Sequence, residues 1–223
     1  MTDPENAAIA IDYFSDVLCI WAWIAQPRLE ELHREYGERV QIRHRFVDIF
    51  GNSHEKIPRQ WGGEGSFERF ADHVAQVASG FEHARVHEDV WRRLRPPSSL
   101  QAHLFLKAVE INGGPQGVEL MAHGVRQAFF CRGRNIGDLG TLLDIAENNG
   151  IERTNLKQAI DDGRAIAALS ADMRSAADQG VKGSPTWVLN DGRQVLYGNI
   201  GYRILSANIE EMLKHPGNEA SWC

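Results

Sequence analysis

An α/β fold carrying a large all-helical insertion is what this sequence predicts, and three observations predict it. A β-branched run at 8–14 leads into an amphipathic segment and then into a second alternating run at 40–46, which together make a βαβ unit. The strand pattern returns at 186–197, on either side of an Asp191-Gly192 turn. Between them, residues 66–179 place apolar side chains at helical spacing and show no strand-like alternation. The organisation expected is therefore an α/β domain built from 1–65 and 180–223, with a helical insertion at 66–179.

Each element has its own reason. The first strand sets Ile9, Ile11 and Tyr13 on one face and Ala10, Asp12 and Phe14 on the other. From Cys19 to Tyr36 the residues Trp21, Ile24, Ala25, Leu29, Leu32 and Tyr36 recur at helical spacing, and Gly37 supplies the stop. Pro27 has no N–H to give, so a kink is expected within this helix. Val40, Ile42 and Phe46 then alternate with Gln41, Arg43 and Arg45 as the second strand. The stretch 50–65 is rich in glycine and polar residues and reads as a loop able to flex over a site. Ser66 is placed to cap a helix with Phe67, Phe70, Ala71, Val74 and Val77 along one stripe. Further helices are expected at 98–111, 116–131, 138–149, 154–161 and 164–179, separated by breakers such as Gly113-Gly114-Pro115 and Asn149-Gly150. Strands at 186–189 and 194–197 form a hairpin, and a last helix over 202–214 carries Ile204, Leu205, Ile209, Met212 and Leu213.

Composition bounds the function. With 223 residues, 43% of them hydrophobic, the chain can bury a well-formed core. A formal net charge of −6 argues against a general nucleic-acid binder. Met1 to Asn6 contains no basic residue, and no apolar run approaches the roughly 20 residues a membrane span needs. No signal peptide and no membrane association are therefore expected, and a cytoplasmic location follows by default. Cys19, Cys131 and Cys223 form no close pair and no metal-ligand spacing, so neither a disulfide framework nor a metal site is expected. His83 and His87 stand four apart on one helical face but have no third ligand at a readable spacing.

Two stretches carry chemistry. In Ser15-Asp16-Val17-Leu18-Cys19-Ile20-Trp21-Ala22-Trp23, Cys19 falls where a strand ends and a helix begins. Unpaired N–H groups and the helix dipole there favour a thiolate, moving a cysteine pKa from about 8.5 to somewhere between about 3.5 and 7.5. Ser15 and Asp16 read as turn-forming residues, and Trp21 and Trp23 as the wall of a hydrophobic groove or as core. The second stretch is Gly180-Val181-Lys182-Gly183-Ser184-Pro185-Thr186-Trp187.

Taken together these stretches resemble the thioredoxin superfamily, in particular its DsbA branch, which includes 2-hydroxychromene-2-carboxylate isomerases and kappa-class glutathione transferases. The likeness spans nearly the whole chain. It extends to Pro96-Pro97-Ser98-Ser99-Leu100-Gln101-Ala102-His103 and Gly133-Arg134-Asn135-Ile136-Gly137-Asp138, which resemble segments of the family's helical insertion. The resemblance implies a thioredoxin fold with a large all-helical insertion. It makes Cys19 the counterpart of the first cysteine of a C-x-x-C motif, with Ala22 in place of the second and Ile20 in place of a frequent proline. It also makes Pro185 the counterpart of the family's cis-proline, with Ser184 offering backbone groups to a peptide or to glutathione. His103, from an Ala-His pair, reads as a structural histidine.

Ala22 limits the chemistry, because a dithiol oxidase needs a second thiol to release a mixed disulfide. The expected function is single-thiol exchange through Cys19, with Trp21, Ala22, Ser184 and Pro185 binding substrate or thiol. No resident cofactor is expected, only glutathione or another small thiol as co-substrate. Two alternatives stand beside it: a glutathione-dependent isomerase or transferase acting on a hydrophobic small molecule, and a non-catalytic binding module. Cys223 is a remote candidate to resolve Cys19, and homodimer formation is left open.

Overall fold

The computed structural model describes residues 8–217, and at its centre is a four-stranded sheet of order β2-β1-β3-β4. Strand β1 (Ile9–Ser15) pairs parallel with β2 (Val40–Phe46) and antiparallel with β3 (Thr186–Leu189), which in turn pairs antiparallel with β4 (Gln194–Tyr197). A parallel pair joined through a helix and an antiparallel hairpin added on its other side are what the two strand-rich ends of the sequence predict. The Asn190–Gly192 turn closes the hairpin with Asn190 and Asp191 both at positive φ, a conformation these two residue types tolerate.

Strand β1 is buried on both sides, because each face of the sheet is covered. On one face Ile9, Ile11 and Tyr13 pack with Leu29, Leu32 and Tyr36 from α2 (Gln26–Tyr36) and with Leu205, Ile209 and Met212 from α9 (Tyr202–Lys214). The helical layer covers the other face. It comprises α3 (Ser53–Trp61), α4 (Ser66–Ser79), α5 (Leu100–Phe130), α6 (Leu139–Asn148), α7 (Arg153–Asp161) and α8 (Arg164–Asp178), packed around one large apolar cluster that also takes in α1 (Ile20–Ile24).

The helical layer meets the sheet through charge as well as oil. Lys107 of α5 is buried, with Nζ 2.6 Å from Asp172 Oδ2 of α8 and 2.5 Å from Glu110 Oε2, and it donates to the carbonyl of His44 at 3.3 Å. Asp172 also accepts from Arg45 Nη1 at 3.0 Å and from the Phe46 backbone N–H at 3.1 Å. Arg45 reaches on to Asp12 at 3.0 Å, and Arg43 lies 2.8 Å from the same carboxylate. An unbroken chain of opposite charges thus ties β1 and β2 to α5 and α8. Each charge answers the desolvation of the next, which is the condition under which buried ions are tolerated.

Two stretches depart from the pattern expected of the sequence. The segment 50–65 is not an open loop. Asn52 accepts from Glu55 N–H and starts α3, while Gly62 ends it in the left-handed region. Arg69 of α4 then donates to the carbonyls of Trp61, Gly62 and Glu64, fastening the glycine-rich tip. The helix expected over 19–36 is two helices, divided at Ala25 with Pro27 in the first turn of the second. The carbonyl of Ile24, left out of the helical ladder, accepts from Arg28 Nη1 and His83 Nε2, each at 3.1 Å. The helices expected at 98–111 and 116–131 are both present, written together as α5, and Gly114 parts them with a non-helical backbone, φ 66°, as the Gly113-Gly114-Pro115 signal predicts.

Candidate functional site

The chain turns sharply between β1 and α1, and the turn is built by side chains from remote segments. Asp16 is buried; Oδ1 accepts from the Leu18 N–H at 2.9 Å, and Oδ2 accepts from the Phe50 N–H and the Ser99 hydroxyl, both at 2.8 Å. His103 Nε2 accepts from the Val17 N–H at 3.2 Å. The ring nitrogen taking that bond carries no proton, so its 3.7 Å approach to Asp16 is not an ion pair. His103 also stacks on Phe46, with ring centroids 5.0 Å apart. Asp16 therefore does the turn-forming work expected of it, and His103 supports the turn; Ser15 is the last residue of β1.

Cys19 is the N-cap residue of α1 and is 6% exposed. Its thiol donates to the backbone carbonyl of Ser184 at 3.2 Å, and the Ser184 hydroxyl accepts from the Asp16 N–H at 2.9 Å. The Ser184–Pro185 peptide bond is cis. Gly198 N–H donates to the Pro185 carbonyl at 2.8 Å, holding this loop to the end of β4. Five residues singled out in the sequence, Cys19, Trp21, Ala22, Ser184 and Pro185, thus lie on two neighbouring segments joined by two hydrogen bonds. Ala22 is fully buried one turn along α1, and Trp21 is half-buried. Trp23 belongs to the core, stacked on Phe130 and tilted against His123.

The electrostatics correct one expectation. Burial pushes the Cys19 thiol up, not down. Ser184 and the N–H groups of Ala22 and Trp21 pull the other way, and the Asp16 carboxylate adds to the rise. Desolvation wins because α1 has only five residues and so a short dipole, while the sulfur is almost fully enclosed. Asp16 is raised to about 6 by burial, against the hydrogen bonds from Phe50, Leu18 and Ser99. His103 is lowered to about 3, by burial and then by the charges of Arg126 and Lys107.

The sequence reading missed Arg126. It lies on α5, fully buried, and donates through Nη2 to the Ser15 hydroxyl at 2.8 Å; Nε and Nη1 have no hydrogen-bond partner among the described residues. The signal was a charge on an apolar stripe: Ala122 and Val125 before it and Phe129 and Phe130 after it are all buried. Lys107 carries the same mark, within a run of buried residues from Phe105 to Val109. Of the paired histidines, His83 is engaged with Ile24, and His87 Nδ1 accepts from the Asp89 N–H at 3.2 Å. Among the described residues no three potential ligands gather for a metal. Cys223 lies outside the described residues.

A cysteine at the N-terminus of a helix, facing a cis-proline loop across a mixed sheet with a helical layer, is an arrangement that can be compared with known proteins. The family model for a DSBA-like thioredoxin domain matches residues 10–210. The chain belongs to this DSBA-like family. Among solved structures, the cytosolic disulfide reductase DsbM from Pseudomonas aeruginosa superimposes with a TM-score of 0.65 at 20% identity, over 90% of this chain and 98% of that one. A 2-hydroxychromene-2-carboxylate isomerase does so with 0.66 at 18%, over 95% of this chain and 100% of that one. At such identities the likeness speaks for the fold, which is the thioredoxin-like fold with helices that the sequence predicts. Among curated relatives, a ClpXP adapter protein SpxH from Bacillus subtilis is 27% identical, covering 80% of this chain. One from Halalkalibacterium halodurans is 28% identical, covering 94%. The chain spans 57% and 69% of those two proteins' lengths. No helix among the described residues is long and apolar enough to cross a membrane.

Proposed function

We propose that this DSBA-like protein exchanges thiols and disulfides through Cys19 alone, with a small thiol such as glutathione completing each cycle. The observation that supports it is the sulfur of Cys19 held 3.2 Å from the Ser184 carbonyl beside cis-Pro185, with Ala22 where a resolving thiol would stand. In the first step the Cys19 thiol loses its proton to solvent and the thiolate attacks a disulfide RS–SR′. A Cys19–S–S–R bond forms, R′S⁻ leaves, and the substrate disulfide is reduced by the electrons of Cys19. A glutathione thiolate then attacks the R sulfur, forming the R–glutathione disulfide and releasing Cys19 as thiolate. Because burial favours the thiol, the first step accelerates as pH rises. A solved DsbM structure carries glutathione, which makes that thiol a reasonable co-substrate to try. The setting proposed is cytoplasmic.

The experiment is incubation with oxidised glutathione from pH 7 to 10 and intact-mass analysis of the wild type and Cys19→Ser. A glutathione adduct on Cys19 that forms faster with pH and is removed by reduced glutathione is the expected result. No adduct at any pH ends the reading.

The enclosed thiol and the absent second cysteine favour a second reading, a binding module that uses the same face without redox turnover, as the name of the SpxH relatives suggests for those proteins. A partner captured equally well by wild type and Cys19→Ser would favour it.

A further inference from the structure

Arginine keeps its charge under all ordinary conditions, and a buried charge without a counter-charge is strongly unfavourable. Arg126 is fully buried, and the one carboxylate within its electrostatic reach, Asp16, takes its hydrogen bonds elsewhere. Helix α5 sets the arginine between His123 and Phe130, one turn before and after, and both of these hold the Trp23 ring of α1. Its Nη2 is tied to Ser15, the last residue of β1, so the guanidinium lies beneath the turn that ends in Cys19. The titratable groups that sense it are Tyr13 from β1, Asp16 and Cys19 from the turn, His44 from β2, and His103 and His123 from its own helix. The nearby cation Lys107 is already paired with Asp172 and Glu110.

Only Tyr13, Asp16 and Cys19 of these can become anions. Burial holds the Tyr13 phenol far above neutrality. Asp16 takes its hydrogen bonds from Leu18, Phe50 and Ser99 and none from Arg126. Two guanidinium nitrogens thus have no hydrogen-bond partner among the described residues, while the third is held at Ser15, four residues before a sulfur that the guanidinium senses and that has to become negative for exchange to occur.

We propose that Arg126 is a positioning residue for the thiol chemistry: its buried guanidinium is the internal counter-charge for the Cys19 thiolate, both when the proton leaves and when the mixed disulfide is cleaved. This rests on the reading of Cys19 as the nucleophile. It assigns to the helical layer, and not to α1 alone, part of the stabilisation of the sulfur anion.

The test is the pH dependence of Cys19 alkylation by iodoacetamide, read by mass spectrometry, in wild type, Arg126→Gln, Arg126→Met and Arg126→Lys, with near-ultraviolet circular dichroism reporting the fold. Repeating the series with Asp16→Asn keeps the titration of Asp16 out of the curve. The neutral variants are expected to need a higher pH, reacting on the order of tenfold more slowly at a fixed pH, with Arg126→Lys restoring most of the loss. A folded neutral variant with the wild-type midpoint overturns the proposal and leaves Cys19 as the nucleophile. A wild-type Cys19 that no pH makes reactive overturns the nucleophile itself, and this proposal with it. If neither neutral variant folds, Ser15→Ala decides, because it frees the guanidinium without removing its charge. A midpoint moved upward then supports the proposal, and an unchanged one overturns it.

Discussion

Two buried polar clusters lie against the same sheet and are built on opposite plans. In the first, Lys107, Arg45 and Arg43 alternate with Asp172, Asp12 and Glu110, so that every charge faces its opposite. In the second, under the Cys19 turn, a single cation meets a hydroxyl, two uncharged imidazoles and a carboxylate whose hydrogen bonds are taken elsewhere. A closed set of charges fixes one arrangement of layers. An open set leaves a cation free to answer a new negative charge. The first cluster therefore reads as structure and the second as chemistry.

The largest expected effect that separates them is acid unfolding. His44 and His103 are held at about 3, against an ordinary 6.5, so the unfolded chain takes up protons that the folded one refuses. Their stabilisation is present above pH 6.5 and is lost as pH falls toward 3. Asp16, raised from 3.8 to about 6, runs the other way: its contribution is present below 3.8 and is lost as pH rises through 6. At about 1.4 kcal/mol per pH unit, the two imidazoles outweigh the one carboxylate by several kcal/mol. Urea midpoints measured from pH 7 to 4 are expected to fall. Replacing both histidines with asparagine should flatten or reverse that slope, whereas a slope unchanged in the double variant would remove the second cluster from the account.

Next comes Asp172→Ala, which leaves Lys107 and Arg45 facing each other without their shared carboxylate; a loss of about 3–5 kcal/mol is expected in chemical denaturation. The double variant Lys107→Met, Asp172→Leu should recover much of it, since a closed pair can be exchanged for packed apolar groups. Ser99→Ala removes one donor from the Asp16 carboxylate and is expected to cost about 1–2 kcal/mol, with the Asp16 titration, followed by carboxyl-sensitive NMR, moving further up. The smallest effect belongs to neither cluster. Arg69→Ala releases three carbonyls at 61–64, and less than about 1 kcal/mol of global stability should go with them. Faster amide exchange confined to that tip is the expected sign.

What the sequence made legible follows the same division. Helix α9 spans 202–214 as its apolar spacing predicts, and the hairpin closes at Asp191-Gly192, because local pattern alone decides these elements. The place of Cys19 between a strand and a helix was legible in the pattern, and the cis-proline loop through resemblance. Helix α3 was not, since its glycine-rich exit hides a good start at Asn52 and Glu55. The direction of the thiol shift was not, since a helix start announces its dipole while enclosure depends on packing from residues far along the chain. Arg126 and Lys107 were visible as charges on apolar stripes, but apart from Glu110, three residues along the same helix, their partners come from β1, β2 and α8, and no local spacing names those.

The Asp16 carboxylate has a consequence in time as well as in space. Its partners Phe50 and Ser99 lie 34 and 83 residues away, and the Ser184 groups on the other side of the turn are 165 or more residues distant. Contacts of such long loop closure form late, after the local helices and the hairpin. A growing chain would carry Cys19 well before the segment bearing Ser184 and Pro185, and would lack the enclosure around it until that segment had emerged. The sulfur would thus be accessible until then, so that the order of folding itself sets when the cysteine passes from an ordinary side chain to a guarded one.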